Sequence, residues 1–308
     1  MQIYLPIAEL PISVLLVLGL SAAVGFISGL FGVGGGFLLT PLLIFLDIPP
    51  AVSVATVSAQ IAASSMSGVM TYLRRNLIDL RLAAVLVLGG LFGTLGGVVF
   101  FNAMRRLGQL ELIIVISYVT LFTIVGGLML FDALRAAWRT RAGRPARRMR
   151  RGGMHAAWQG LPLRVRFYRS KLYMSILPVL LLALVIGFIG AVLGIGGGFI
   201  MVPALIYLFG VPAAVVVGTS LFQILITMTA ATMMHAVTNQ SVDIVLALLL
   251  IIGGVIGAQL GARAARNMKA ESFRLLLALL ILGVGLRFAV DLVGRPTEMF
   301  SVTTQGAP

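Results

Sequence analysis

The stretch Gly-Val-Gly-Gly-Gly-Phe-Leu-Leu-Thr-Pro, residues 32–41, decides how the chain is read. It returns as Gly-Ile-Gly-Gly-Gly-Phe-Ile-Met-Val-Pro at residues 194–203. Both copies lie between apolar runs. Three adjacent glycines suit a plain helix poorly, since each weakens it by roughly 1 kcal/mol relative to alanine. A Rossmann fingerprint would need glycine where Phe37 and Phe199 stand, and a P-loop would end in Lys followed by Ser or Thr. Neither copy does this. The runs are read as breaks in two helices that serve one purpose twice.

The surroundings are those of a membrane protein. Of the 308 residues, 60% are hydrophobic and 10% charged, with a mean hydropathy of +1.10; a soluble domain carries roughly 25% charged residues. The net charge of +14 is concentrated, because 12 of 23 Lys and Arg fall between Arg135 and Lys171. Such a loop beside apolar segments marks the cytoplasmic side of a membrane protein rather than a nucleic-acid face. Cysteine is absent, which excludes disulfides, thiol catalysis and thiolate metal sites. No Lys or Arg precedes the first apolar run, so that segment is expected to stay in the mature protein. No cofactor is expected.

Ten apolar segments follow: 11–31, 37–47, 51–73, 80–101 and 111–131, then 174–193, 199–209, 212–236, 242–262 and 272–293. The second and seventh are too short to cross a bilayer and read as half-helices or re-entrant segments. The two sets align at an offset of 162 through the glycine runs, Phe37/Phe199, Pro41/Pro203 and Ser58/Ser220. The offset becomes 164 by Asp79/Asp243 and Gly89, Gly93, Gly97/Gly253, Gly257, Gly261. The expected organisation is a first repeat over 1–131, a basic linker over 132–172, a second repeat over 173–293 and a tail over 294–308. An odd number of crossings per repeat requires the second copy to be inverted. Placing the basic loop inside puts Arg74, Arg75, Arg81, Arg263, Arg266, Lys269 and Arg274 inside too, with both termini outside and only Arg105 and Arg106 against the rule. The linker carries Trp138 and Trp158 among its arginines and is read as lying on the anionic inner leaflet, the alternative being a solvated, partly disordered connector.

Within this frame the candidate chemistry is the binding of an anion. Backbone N–H groups that open a half-helix favour negative charge, which singles out Gly34, Gly35 and Gly36 with Gly196, Gly197 and Gly198. Thr56, Gln60 and Ser64 recur as Thr219, Gln223 and Thr227, each trio spaced by four along one helix face. Ser58 and Ser220 lie close by. Thr56, Ser58, Gln60, Thr219, Ser220 and Gln223 are therefore read as uncharged donors to a substrate; the alternative for such residues is hydrogen bonding between helices. The glycines spaced by four at 89–97 and 253–261 read as helix packing. Asp79 and Asp243 open segments, where a carboxylate suits a helix N-terminus. His235 is the candidate proton relay.

The glycine run, its repetition and the trailing Pro41 or Pro203 resemble the sulfite exporter TauE/SafE family, over about residues 12–131 and 174–293. Gly218-Thr219-Ser220 is similar to that family's pattern, as are Gly68 and the regions of Asp79 and Asp243, while Thr56-Val57-Ser58 departs from Gly-Thr-Ser. The resemblance implies transport of small anions, sulfite and sulfonates among them, across the bacterial inner membrane.

The expected fold is thus an all-α integral membrane protein of two inverted five-segment repeats with short broken helices after the glycine runs. The expected activity is secondary transport of a small anion, by rocking of one half against the other about a central site. A passive anion channel is the nearest alternative. An intramembrane enzyme built on Ser21 and His235, or a scaffold without transport, are the readings from other classes. The expected partners are the anion, the lipid bilayer and H+ or Na+ as coupling ion, with a homodimer as the candidate assembly and no nucleic acid.

Overall fold

Hydropathy and glycine placement set where the helices run in the computed structural model, which describes residues 2–31, 36–141, 164–167, 170, 172–264 and 270–293. The first half contains α1 (Val14–Phe31), α2 (Gly36–Ile44), α3 (Pro50–Arg74), α4 (Leu80–Arg106) and α5 (Leu110–Arg141). The second contains α6 (Ile176–Leu193), α7 (Gly198–Tyr207), α8 (Ala213–Met234), α9 (Ile244–Ala264) and α10 (Ala270–Val293), with a π-helical turn at His235–Asn239 closing α8. Six segments, in α3, α4, α5, α6, α9 and α8 with its π turn, are long and apolar enough to cross a membrane. The short helices α2 and α7 have 9 and 10 residues. At 1.5 Å per residue they reach about 15 Å, half of a hydrocarbon core.

The helix ends follow local chemistry. Pro50 starts α3 at a position where its missing N–H is no loss. The Ser175 side chain accepts from Leu177 N–H and caps α6. At the other end α6 stops at Gly194, whose φ of 66° is left-handed. Gly196 and Gly197 continue in that region, at 70° and 73°, and turn the chain into α7. A side chain at these two positions would be strained as well as crowded.

The all-α expectation needs a correction. Two antiparallel hairpins precede α1 and α6: β1 (Gln2–Leu5) with β2 (Leu10–Ser13), and β3 (Arg164–Phe167) with β4 (Leu172–Ser175). They stand at the repeat offset of 162, so repeat structure begins at Arg164, inside the stretch read as linker. Four-residue strands are too short to register as apolar runs, and the segments expected from 11 and 174 begin as strands. The helix α5 also continues ten residues past the expected end at 131. Residues 142–163, with Trp158, and the tail from 294 lie outside the described residues.

The chain divides into two compact units, Met1–Glu111 with Arg147–Met268, and Leu112–Ala146 with Lys269–Pro308. In the second unit α5 and α10 meet through Tyr118, stacked on Phe288 at 5.6 Å between ring centroids and edge-on to Phe122 at 5.3 Å. The first unit exchanges helices between the repeats. Its α9 packs on α1 and α3, with α2 against α3; its α4 packs on α6 and α8, with α7 against α8. Two four-helix bundles result, each holding three helices of one repeat and one of the other, and α3 meets α8 between them.

Glycine makes the exchange close. A methyl at Gly25 would strike the Gly254 carbonyl, one at Gly187 the Gly90 carbonyl, one at Gly93 the Leu184 carbonyl, and one at Gly257 the Ala22 carbonyl. These are backbone contacts between helices of different repeats, as the packing reading of the glycine stripes requires. The outer faces stay apolar: Leu88, Phe92, Leu95 and Val99 on α4 and Leu248, Ile252, Ile256 and Leu260 on α9 are all exposed. Stripes of large exposed side chains at helical spacing suit lipid rather than water.

Candidate functional site

Two reciprocal latches hold the exchanged helices. At the start of α4, Asp79 Oδ1 accepts from Leu82 N–H (3.3 Å) and Oδ2 accepts from the Ser170 N–H (2.9 Å) and hydroxyl (2.8 Å), while the Asp79 N–H donates to Thr219 Oγ1 (3.2 Å). At the start of α9, Asp243 Oδ1 accepts from Leu246 N–H (3.0 Å) and Oδ2 from Ile7 N–H (3.1 Å), while its own N–H donates to Thr56 Oγ1 (3.1 Å). Each aspartate therefore caps its helix, receives the hairpin turn of the opposite repeat, and ties to that repeat's threonine. Both aspartates are buried. The helix N-terminal role read for them in the sequence is visible here, with a hairpin partner that the sequence did not announce.

The hydroxyls read as substrate donors are engaged within the protein. Thr56 and Thr219 accept the latch hydrogen bonds. Ser58 donates to the Val54 carbonyl and Ser220 to the Val216 carbonyl, both at 2.8 Å. In a low-dielectric interior a helical serine meets its need on the preceding turn of its own helix. Ser58 and Ser220 thus give their hydrogens within their own helices, whereas Thr56 and Thr219 act in the latches as acceptors and keep a hydroxyl hydrogen to donate.

The glutamines differ. Gln60 and Gln223 are each 1% exposed, and the Oε1 of each lacks any hydrogen-bond partner. Gln223 Nε2 donates to Thr227 Oγ1 at 3.2 Å. Each carboxamide is seated against a glycine of the exchanged helix: a methyl at Gly254 would lie 2.5 Å from Gln60 Nε2, and one at Gly90 would lie 2.8 Å from Gln223 Nε2. Turning an amide end for end exchanges donor for acceptor and still leaves one polar corner free.

The half-helices meet between the bundles. Phe37 and Phe199, first residues after the glycine runs, stack at 4.7 Å with planes 9° apart. Thr40 Oγ1 donates to the Gly194 carbonyl at 3.3 Å. Gly36 and Gly196 both abut Ile61, the neighbour of Gln60, and Gly196 also faces Ile224, the neighbour of Gln223. These two glycines thus lie beside the glutamine turns of α3 and α8. Gly197 instead faces Ile186 of α6, and Gly198 opens α7. Gly34 and Gly35 lie outside the described residues.

His235 is buried at the far end of α8. Its Nδ1 meets Asn239 Nδ2 at 2.9 Å and its Nε2 meets the Ala191 carbonyl at 3.3 Å, with Phe101 edge-on at 4.7 Å. Both ring nitrogens are therefore engaged within the protein. Arg105, against the charge rule in sequence, donates to the Asn239 carbonyl at 2.8 Å in the same cluster.

Sequence reasoning missed a cavity of about 530 Å³ among α1, α3 and α9, with Val217 and Leu221 of α8 along one side. Ser64, Ser65, Ser67, Thr71, Arg75 and Arg263 place polar and basic groups in a lining that is otherwise largely apolar. The signal was present: the four-residue stripe of Thr56, Gln60 and Ser64 continues through Ser67 and Thr71 to Arg75.

The family profile described as "Sulfite exporter TauE/SafE" matches residues 17–288. The probable membrane transporter protein YjnA of Bacillus subtilis (strain 168) is 30% identical over 267 residues, 86% of this chain and 95% of that protein. The probable membrane transporter protein YunE of the same organism is 27% identical over 294 residues, 88% and 95% of the two chains. Over a shorter stretch of 82 residues, 26% of this chain and 19% of the other, sulfite exporter TauE/SafE family protein 6 of Arabidopsis thaliana is 38% identical. No solved structure matches significantly. With a match spanning nearly the whole described chain and six helices able to cross a membrane, the chain belongs to the sulfite exporter TauE/SafE family of membrane transporters.

Proposed function

We propose that the chain is a secondary transporter, not an enzyme, that moves a small anion such as sulfite or a sulfonate across a bacterial cytoplasmic membrane by alternating access. The observation that carries the reading is the pair Gln60 and Gln223. An unpartnered polar atom in a buried place costs about 1–3 kcal/mol, and here one stands at the equivalent point of each repeat. With each carboxamide turned end for end, its Nε2–H becomes the free group, and an anion bound between α3 and α8 would accept from both. Glycine beside each glutamine turn lets such a ligand approach the backbone, and the N-termini of α2 and α7 favour negative charge.

The repeats are read as inverted, with both termini outside and the basic central stretch inside. Rocking of one sequence half against the other is replaced by motion of the two exchanged bundles. The close backbone contacts of α1 with α9 and of α4 with α6 join the halves, so movement between halves would have to break both. Movement between bundles keeps them and works across α3, α8 and the Phe37–Phe199 stack. Access then alternates around the two glutamines.

The test is sulfite flux in proteoliposomes. Saturable flux with sulfite–sulfite exchange is expected of the wild-type chain, and Gln60→Leu and Gln223→Leu are each expected to lower it at least about fivefold while remaining folded, the loss of one such polar contact being worth about 1–3 kcal/mol. Unsaturating conductance would make the protein a channel, and full flux in both variants would remove the glutamines from the pathway.

A further inference from the structure

The cavity at the C-terminal ends of α3 and α9 carries two positive charges in its lining. Arg75 and Arg263 line it, both are exposed, and among the described residues neither has an ion-pair partner. No acidic residue is among the described residues that line it. Ser64 turns its hydroxyl to the Ile61 carbonyl at 3.1 Å. Ser65 does not: it is 2% exposed, lines the cavity, and its Oγ has no hydrogen-bond partner. Two unpaired guanidiniums at a mouth and an orphaned hydroxyl at the wall describe a site waiting for an acceptor-rich ligand.

The opposite repeat shows that this space is not a by-product of the fold. At the repeat offsets of 163 and 164, Ser65 corresponds to Met228, Tyr72 to His235, Arg75 to Thr238 and Arg263 to Val99. Met228 and His235 are buried, and His235 packs against Phe101 and is hydrogen-bonded on both sides. At one end of the repeat architecture buried Met228 and His235 thus stand where the matching end has Ser65 and Tyr72 in the cavity lining, with Arg75 and Arg263 in place of the uncharged Thr238 and Val99. Gln60, Ser64, Ser67, Thr71 and Arg75 follow one face of α3, and the stretch from Gln60 to Arg75 rises about 22 Å. Gly254, against which Gln60 sits, lies on α9 about two and a half turns before Arg263.

We infer that this cavity is a recruiting site for a small sulfite- or sulfonate-type oxyanion, in which Arg75 and Arg263 draw the anion in and the Ser65 hydroxyl binds it before it reaches Gln60. The assignment rests on the anion-transport reading above and places the site on the side of the basic loop. Concentration of an anion by two fixed positive charges falls steeply with ionic strength, whereas a hydroxyl contact does not. The two contributions are therefore separable.

The experiment measures sulfite and methanesulfonate binding to the full-length chain in detergent, by calorimetric titration at low and high salt, so that binding is read without flux. Removing one unit charge a few ångströms from the ligand is worth roughly fivefold in water-like surroundings. Arg75→Gln and Arg263→Gln are each expected to raise Kd about fivefold and the double variant roughly 25-fold at low salt, with the salt dependence flattened. Ser65→Ala is expected to raise Kd severalfold with the salt dependence intact. Arg106→Gln, the same change of charge at an exposed residue away from the cavity, is expected to change nothing. Unliganded melting temperatures identify any variant that is simply unfolded.

The inference is overturned if the double variant binds like wild type at both salt concentrations, if Arg106→Gln weakens binding equally, or if neither anion binds the wild-type chain. Binding with this pattern but without flux in liposomes would leave the site standing and remove the transport reading.

Discussion

Asp79 is the sharpest place to perturb this protein, because one side chain holds α4 in a bundle built mostly from the other repeat. In Asp79→Ala, Leu82 N–H, Ser170 N–H and the Ser170 hydroxyl all lose their acceptor. The hydroxyl can turn elsewhere; the two backbone donors cannot. Each stranded donor in a buried place costs about 1–3 kcal/mol, and the long 3.3 Å bond to Leu82 belongs at the low end. The combined loss is about 4 kcal/mol. Thr219→Val keeps the shape of the side chain and strands only the Asp79 N–H, for about 1–2 kcal/mol. Ser170→Ala removes one hydroxyl bond and leaves Oδ2 its backbone donor, for about 1 kcal/mol. At about 2–3 °C per kcal/mol for a chain of this size, the expected falls in melting temperature are roughly 10, 4 and 2 °C. The assay is thermal unfolding of the full-length chain in detergent, followed by far-UV circular dichroism. An Asp79→Ala variant melting within about 2 °C of wild type would refute the latch, as would a Ser170→Ala variant as damaged as Asp79→Ala.

The glycine contacts and the inverted arrangement have their own tests. Gly93→Ala and Gly257→Ala each place a methyl against the backbone of the facing helix, which cannot yield, so both are expected to lose about 1–3 kcal/mol of stability by thermal unfolding. Gly19→Ala, with nothing within 4 Å, is expected to be neutral or stabilising by up to about 1 kcal/mol; equal loss in all three would show that propensity, not contact, decides. The cysteine-free background allows Asn76→Cys and Gln240→Cys to be compared directly, since both sites are exposed and share a left-handed backbone, with φ of 54° and 48°. A membrane-impermeant thiol reagent applied from outside is expected to label position 240 and not 76; labelling of both from one side would overturn the inversion.

Much of this protein is legible in one dimension. Apolar runs longer than a bilayer is thick, a loop dense in arginine and two glycine runs at a constant offset mark helices, breaks and repeats, because each depends on composition and local backbone freedom. The ends of α2 and α7 fall within a few residues of their expected places for that reason. The helix-capping aspartates are local too, and they open α4 and α9 as their places in the sequence indicate.

Long-range partnership is what the linear chain does not carry. Nothing near Asp79 in sequence indicates Ser170, 91 residues away, as the donor to its free oxygen. The exchange of α4 and α9 between repeats is likewise invisible, since a glycine stripe shows that a helix will be approached closely and not by which helix. The same limit applies to the site. Thr56, Ser58, Gln60, Thr219, Ser220 and Gln223 carry equal chemical promise along the chain. Only packing distinguishes serines that donate to a carbonyl of their own helix and threonines that accept a latch amide from two carboxamides left with a free corner, and from a serine in the lining of a cavity with two arginines. The glycine runs at 32–36 and 194–198 determined that two helices break. Where the breaks meet, through Phe37 stacked on Phe199 and Ile61 against Gly36 and Gly196, was decided by the tertiary structure, because that meeting depends on which helices pack together and not on local backbone freedom.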